Sequence, residues 1–175
     1  AVLLFVWTGW GLYVIVTTEQ PEYEVVQSLS SNVEIRQYGE QTWISTQHTT
    51  DDVSFPVLAS YIFGRNLENK KVSMTAPVVT DDRMSFILPK GYSRETAPTP
   101  DGQPIEFTTV PARQLATIEF SWLTTRSRVE EQTNQLLDML QKNGIATKGH
   151  PRLMRYNDPW TPPFLRRNEV AIQVE

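Results

Sequence analysis

Two segments of this 175-residue chain carry apolar residues at helical spacing, whereas eight short runs alternate apolar and polar residues. That imbalance constrains the fold more than any other feature. Each strand needs one face covered, and two helices cannot cover so many strands unless the sheet curls around on itself. The expectation is therefore an α+β fold: a distorted antiparallel β-barrel flanked by two helices.

The first helical stretch organises the front of the chain. Phe55, Leu58, Ala59, Ile62 and Phe63 recur at i, i+3, i+4, i+7 and i+8, the stripe of a helix with one buried face. Asp51, Asp52 and Ser54 offer capping and first-turn acidic groups, Pro56 falls near the start, and Gly64 supplies the left-handed position beyond the end. Before it, Tyr23–Ser28 and Val33–Tyr38 alternate around a turn at Ser30, Ser31 and Asn32, and residues 41–48 continue as a third strand. After it, residues 72–79 read as extended, with Pro77 unable to donate to a ladder. Met84, Phe86 and Leu88 then point every second residue inward.

A proline- and glycine-rich loop at 90–104 leads into a second pass over the same pattern. Residues 105–110 and 112–120 are strands. Ser127 and Glu130 have the spacing of a capping box for a helix carrying Val129, Thr133, Leu136, Leu137 and Leu140 on one face and stopped at Gly144. Residues 152–157 and the alternation Val170, Ile172, Val174 close the set. Element order thus gives two β-β-α-β halves, a repeat of architecture rather than of residue identity.

Three blocks carry a resemblance. Tyr61-Ile62, Gly64-Arg65-Asn66 and Lys71 through Met74-Thr75-Ala76-Pro77-Val78 form the first. Upstream stands Val33-Glu34-Ile35-Arg36-Gln37-Tyr38-Gly39 with Trp43-Ile44-Ser45-Thr46. Downstream stands Tyr156-Asn157-Asp158-Pro159 with Arg167-Asn168-Glu169-Val170. Together they resemble the SOUL family of haem-binding proteins over residues 23–175, which implies the same barrel. The resemblance also implies a haem or other tetrapyrrole held against the first helix, with Phe55, Leu58, Ala59 and Ile62 as the apolar wall and Arg65 and Lys71 as partners for the propionates. The position where one branch of the family carries an axial His is Gln37 here, and a neutral amide is a weak iron ligand. Ser60 stands where some haem-binding members have a basic residue.

Residues 1–18 contain no charged side chain and as a helix would extend roughly 27 Å, close to the hydrocarbon thickness of a bilayer. A single membrane-spanning anchor is the expectation, ahead of a buried soluble helix or a retained signal segment. Trp7, Trp10 and Tyr13 share one side of that helix, a face for lipid, pigment or a partner helix. The flank that follows holds Glu19, Glu22 and Glu24 before the first basic residue at Arg36, which favours the non-cytoplasmic side for the domain.

Charge and composition remove other functions. With 16 basic against 20 acidic side chains there is no electrostatic footprint for nucleic acid. The absence of cysteine removes disulfides, thiolate metal sites and thiolate nucleophiles. Neither His48 nor His150 has a His partner four residues on or a Glu at metal-ligand spacing, and no phosphate loop or hydrolase motif occurs. An enzyme is not expected. The leading expectation is a membrane-anchored, non-catalytic docking subunit of an integral-membrane respiratory or photosynthetic complex. Residues 1–18 would meet the partner, and the exposed loop with Trp160 and Phe164 would seat on it. The alternative is a membrane-tethered haem or porphyrin carrier.

Overall fold

The computed structural model describes residues 18–175. The elements are β1 (Tyr23–Ser28), β2 (Val33–Tyr38), β3 (Gln41–Gln47), α1 (Asp51–Ile62), β4 (Val78–Thr80), β5 (Arg83–Ile87), β6 (Glu106–Val110), β7 (Arg113–Phe120), α2 (Arg126–Lys142), β8 (Thr147–Arg155), a 3-10 turn (Pro163–Leu165) and β9 (Asn168–Val174). The strands form one antiparallel sheet in the order β1-β2-β7-β9-β8-β4-β5-β3-β6.

That order contains the repeat expected from sequence and adds an exchange. In the first half β3, β5 and β4 are neighbours; in the second, β7, β9 and β8 stand in the same relation, and the halves join at β4 against β8. The leading strand of each half crosses over: β2 pairs with β7 of the second half, and β6 with β3 of the first. Swapping 2 with 6, 7 with 3, 9 with 5 and 8 with 4 reverses the central eight strands onto themselves. β1 is an addition at one edge.

The sheet curls into a half-barrel and does not close, a correction to the expected barrel. Closure needs a ladder that continues around the whole circumference, and β1 and β6 each pair on one side alone. β1 is exposed along its length, where its alternation predicted a half-buried strand, because it is an edge strand broken by a bulge between Val25 and Gln27. The segment ahead of β1 links the halves instead. Glu19 accepts from the Ala76 amide at 2.9 Å and through its carboxylate from the Lys90 amide at 3.0 Å, while Gln20 accepts from Arg167 at 3.3 Å.

Both helices lie on the outer face of the curl. Leu136 and Leu140 of α2 pack on Val33, Ile35, Ala116, Ile118, Val170 and Ile172. Leu58, Ala59 and Ile62 of α1 pack on Ile44, Met84 and Phe86. The intervening strand residues, among them Tyr38, Trp43, Val79, Leu115, Met154 and Ala171, fill the inside. β9 is covered on both faces, so six of its seven residues are buried.

Local chemistry moved several boundaries. α1 starts at Asp51, which puts Pro56 six residues in and costs one backbone hydrogen bond. The expected stop holds, with Gly64 left-handed at φ 105°. α2 is capped by Thr125, whose hydroxyl accepts from the Arg128 amide at 3.4 Å; Ser127 and Glu130 do not form the expected box, and Glu130 pairs with Arg126 at 2.8 Å. Pro77 precedes a strand at the centre of the sheet and itself takes no ladder position.

Inside the curl the apolar lining gives way to a buried ionic cluster. Glu169 is fully buried and accepts from Arg36 at 2.9 and 3.0 Å, from Arg167 at 3.0 and 2.6 Å, and from the Tyr156 hydroxyl at 2.8 Å. Burial pushes the two guanidiniums down, but their partners, led by the Glu169 carboxylate, together outweigh it and hold both above their ordinary value. Burial, then Glu169, pushes the Tyr156 phenol well up. Arg36 belongs to the upstream sequence block and Tyr156, Arg167 and Glu169 to the downstream one, so two of the three blocks converge on one carboxylate. Substituting Glu169→Gln removes the compensating charge and leaves two guanidiniums facing each other, at a cost of about 3–5 kcal/mol. Urea unfolding followed by circular dichroism should register that loss; a change below about 1 kcal/mol would mean the cluster is not structural.

Candidate functional site

On the outer face a cleft opens between α1 and the loops that precede α2 and follow β8, beside the junction of β4 and β8. A cavity of roughly 590 Å³ occupies it, within the range of small-molecule sites. Its floor is Val78 and Met84, one wall is Phe55 at the start of α1 with Met74 and Ala76, and the other is the loop that follows β8, including Pro159. Thr18 and Thr124 also line it. Met74 and Met84 give the wall an unbranched, adaptable surface.

The cleft's polar rim is largely self-satisfied. Arg155 makes a two-pronged bond to Asp51, with Nη2 to Oδ1 at 3.0 Å, and also reaches Thr80 at 3.1 Å. His48 adds a contact to Asp51 at 3.2 Å. The Arg155 hydrogen bond holds the Asp51 carboxyl below its ordinary value.

The loop over the cleft is built by side chain to backbone bonds. Asp158 accepts from the amides of Trp160 at 2.7 Å and Thr161 at 3.0 Å, closing an Asx turn. Arg166 donates back to the carbonyls of Thr161 at 2.8 Å and Pro159 at 2.6 Å. Neighbouring Trp122 is tied in by its amide to Pro163 at 2.9 Å and by its carbonyl to Asn168 at 3.0 Å. Trp122 holds a left-handed φ of 78°, uncommon for a bulky residue. Trp122, Leu123, Trp160 and Phe164 are all exposed, Trp160 at 75%. Two loops from the second half thus present a joint apolar surface beside the cleft.

The residues expected from sequence scatter. Phe55 lines the cleft and stacks on Phe86 with ring centres 5.3 Å apart. Leu58, Ala59 and Ile62 are 0–7% exposed and face the sheet, so they belong to the core and not to a crevice. Phe63, placed on the same stripe, is instead exposed because it caps the helix. Arg65 lies with Ser60 and Pro56 in a shallow groove against residues 101–104. Lys71 is exposed and lines neither. Gln37 sits on β2 with its amide given to the carbonyls of Tyr38 at 2.9 Å and Arg113 at 3.3 Å, remote from the cleft lining. Trp160 and Phe164 are exposed as expected. Trp7, Trp10 and Tyr13, and the spanning helix expected over 1–18 except for Thr18, lie outside the described residues. Among the described residues no helix is long and apolar enough to cross a membrane.

Sequence reasoning missed Met74, Met84, Arg155, Trp122 and Leu123. Met74 stood inside a quoted block and went unused. Trp122 and Leu123 carried a visible signal, two large apolar residues after the alternation of β7 has ended.

A haem needs an iron donor as well as an apolar wall. No histidine lines the cleft, and Gln37 is committed elsewhere, so the donor set does not fit an axial histidine-type ligation. The wall alone suits a flat apolar ligand.

The profile of the family described as SOUL heme-binding protein matches residues 18–173. No curated protein matches the chain. Among solved structures, the EcmrR C-terminal domain superposes with a TM-score of 0.60 at 14% identity over 87% of this chain and 98% of that one. A hydrolase from Listeria innocua gives 0.58 at 7% identity over 82% and 92%. An uncharacterized conserved protein from Listeria innocua gives 0.54 at 9% identity over 90% and 93%. Such low identities show the fold alone.

The rim makes a pH prediction. A depressed carboxyl contributes stability that is complete above its ordinary pKa of 3.8 and is lost as pH falls through the lower folded value. Asp51 is half exposed, so Asp51→Asn should cost no more than about 1 kcal/mol at pH 7. Urea titrations should find the gap between wild type and variant narrowing as pH falls below 3.8; a gap that stays the same as at pH 7 would show that the ion pair is not its source.

Proposed function

We propose that this chain, which belongs to the SOUL heme-binding protein family, serves as a membrane-anchored, non-catalytic docking module of an integral-membrane complex. The observation that carries the reading is the surface formed by Trp122, Leu123, Trp160 and Phe164, which flanks the cleft that Thr18 lines. Thr18 is where the chain passes from its uncharged opening segment into the fold. Thr18 and the apolar surface flank the same cleft, so a partner emerging from the membrane that holds the anchor would meet the surface at once. The loops are braced internally by Asp158, Arg166 and Asn168, so little ordering entropy is lost on contact. Trp is enriched among the residues that dominate binding energy. The acidic flank after Thr18 supports placing the domain on the non-cytoplasmic side.

A second reading, a tethered tetrapyrrole carrier, draws on the cleft itself. Its size and its wall of Phe55, Met74, Val78 and Met84 suit an apolar macrocycle. Hydrophobic contact would hold such a ligand, and the rim pair of Asp51 and Arg155 would flank its polar edge. Haemin titration of the full chain in detergent discriminates. A Soret shift that Phe55→Glu abolishes favours this reading, and no shift removes it.

For the docking reading, the double change Trp160→Ala with Phe164→Ala should leave the circular dichroism spectrum unchanged, because both side chains are exposed. Truncating such anchors should weaken the complex by about 2 kcal/mol or more. On native gels of mildly solubilised membranes, wild type should co-migrate with a large assembly and the variant should run free. Migration of the wild type as a monomer would sink the proposal.

A further inference from the structure

Inside the curl, at the end away from Glu169, lies a second and smaller cavity of roughly 200 Å³. Its wall holds Arg113, Arg152, Lys148 and His150 with Trp43 and Gln173, and no carboxylate is among its lining residues. Arg113 is the key group. It is 8% exposed, yet among the described residues it forms no ion pair. Nη1 donates to the Pro111 carbonyl at 3.3 Å and Nη2 to Gln41 at 3.1 Å, while Nε is buried with no partner.

The contrast with Arg36 is instructive. Both are buried arginines, but Arg36 has Glu169, and Arg113 faces a second cation. The guanidiniums of Arg113 and Arg152 lie over the Trp43 ring at 5.2 and 5.6 Å. Arg152 is itself held by Asp81 at 2.8 Å. Burial, then the Arg152 charge, pushes Arg113 down to about 10. A buried guanidinium without a counter-charge is costly, and such sites are normally completed by an anion.

The backbone contributes as well. Lys148 pairs with Gln173 and Arg152 with Ala171, so residues 149–151 bulge out of β8 opposite a single residue of β9. Gly149 adopts φ 78° to make the bulge. Bulges of this kind re-aim side chains, and this one brings Lys148 and His150 to the pocket mouth.

We propose that this pocket is a binding site for a small oxyanion of phosphate size, held by the Arg113 guanidinium that lines it and enclosed by Arg152, Lys148 and His150. Its volume is below that of drug-sized sites, and its chemistry is cationic where the outer cleft is apolar. The site is independent of the docking surface and of membrane attachment.

Inorganic phosphate is the probe, titrated into the full chain in detergent with ionic strength held constant by chloride. Thermal unfolding should show a saturable rise of the midpoint with phosphate, as a ligand confined to the folded state requires. Arg113→Met should weaken the phosphate dependence by about tenfold or more, because a charge-assisted hydrogen bond is lost. Lys148→Gln with His150→Gln alters exposed side chains only, so the protein should fold normally and bind phosphate more weakly. Arg65→Gln, in the other groove, should bind like wild type. If phosphate acts no differently from matched chloride, the site does not exist. Should Arg113→Met fail to fold, the Lys148 and His150 variant decides, and wild-type affinity there overturns the proposal.

Discussion

Glu169 is the point on which the fold closes. A carboxylate with no solvent exposure is tolerated because five hydrogen bonds from Arg36, Arg167 and Tyr156 replace its hydration. Those three donors come from β2, from the residue just before β9 and from the residue just after β8, so the charge cluster ties a leading strand of one half to the other half. Tyr23 then covers Arg36 with its ring 4.4 Å from the guanidinium, and Arg167 reaches Gln20, so the segment before the sheet is set by the same cluster.

The exchange of β2 and β6 between halves explains the shape. Each half lends a strand to the other, so neither sheet half is complete alone, and the curl follows from the continuous ladder through β4 and β8. Two helices on one face, related by the pseudo-axis, cannot also cover the junction between them. The outer cleft is the consequence. Its polar groups pair with one another and its walls are apolar, which suits either an apolar ligand or a partner surface.

The inside of the curl has the opposite character at its two ends. One end carries a charge that is neutralised within the chain, through Glu169. The other end carries Arg113 with a rim of further cations and an unfilled donor. A chain with a formal charge of −4 overall thus holds a local cationic pocket, and only the arrangement of strands makes it so.

The sequence by itself determined the element order, the two-helix repeat, the left-handed stop at Gly64 and the family, because each depends on neighbours in the chain or on residue identity. It also placed Trp160 and Phe164 outside. It did not decide what the stripe of α1 meets: Leu58, Ala59 and Ile62 read equally well as core or crevice, since a helical stripe tells which residues share a face and not what that face packs on, and the structure packs them on the sheet. Tertiary structure alone decided that β1 and β6 do not pair with each other to close the barrel, that Arg36, Arg167 and Tyr156 converge on Glu169, and that Arg113 is left without a carboxylate. Those facts join residues up to 133 positions apart, and the energy of a buried charge depends on the partners that folding brings to it.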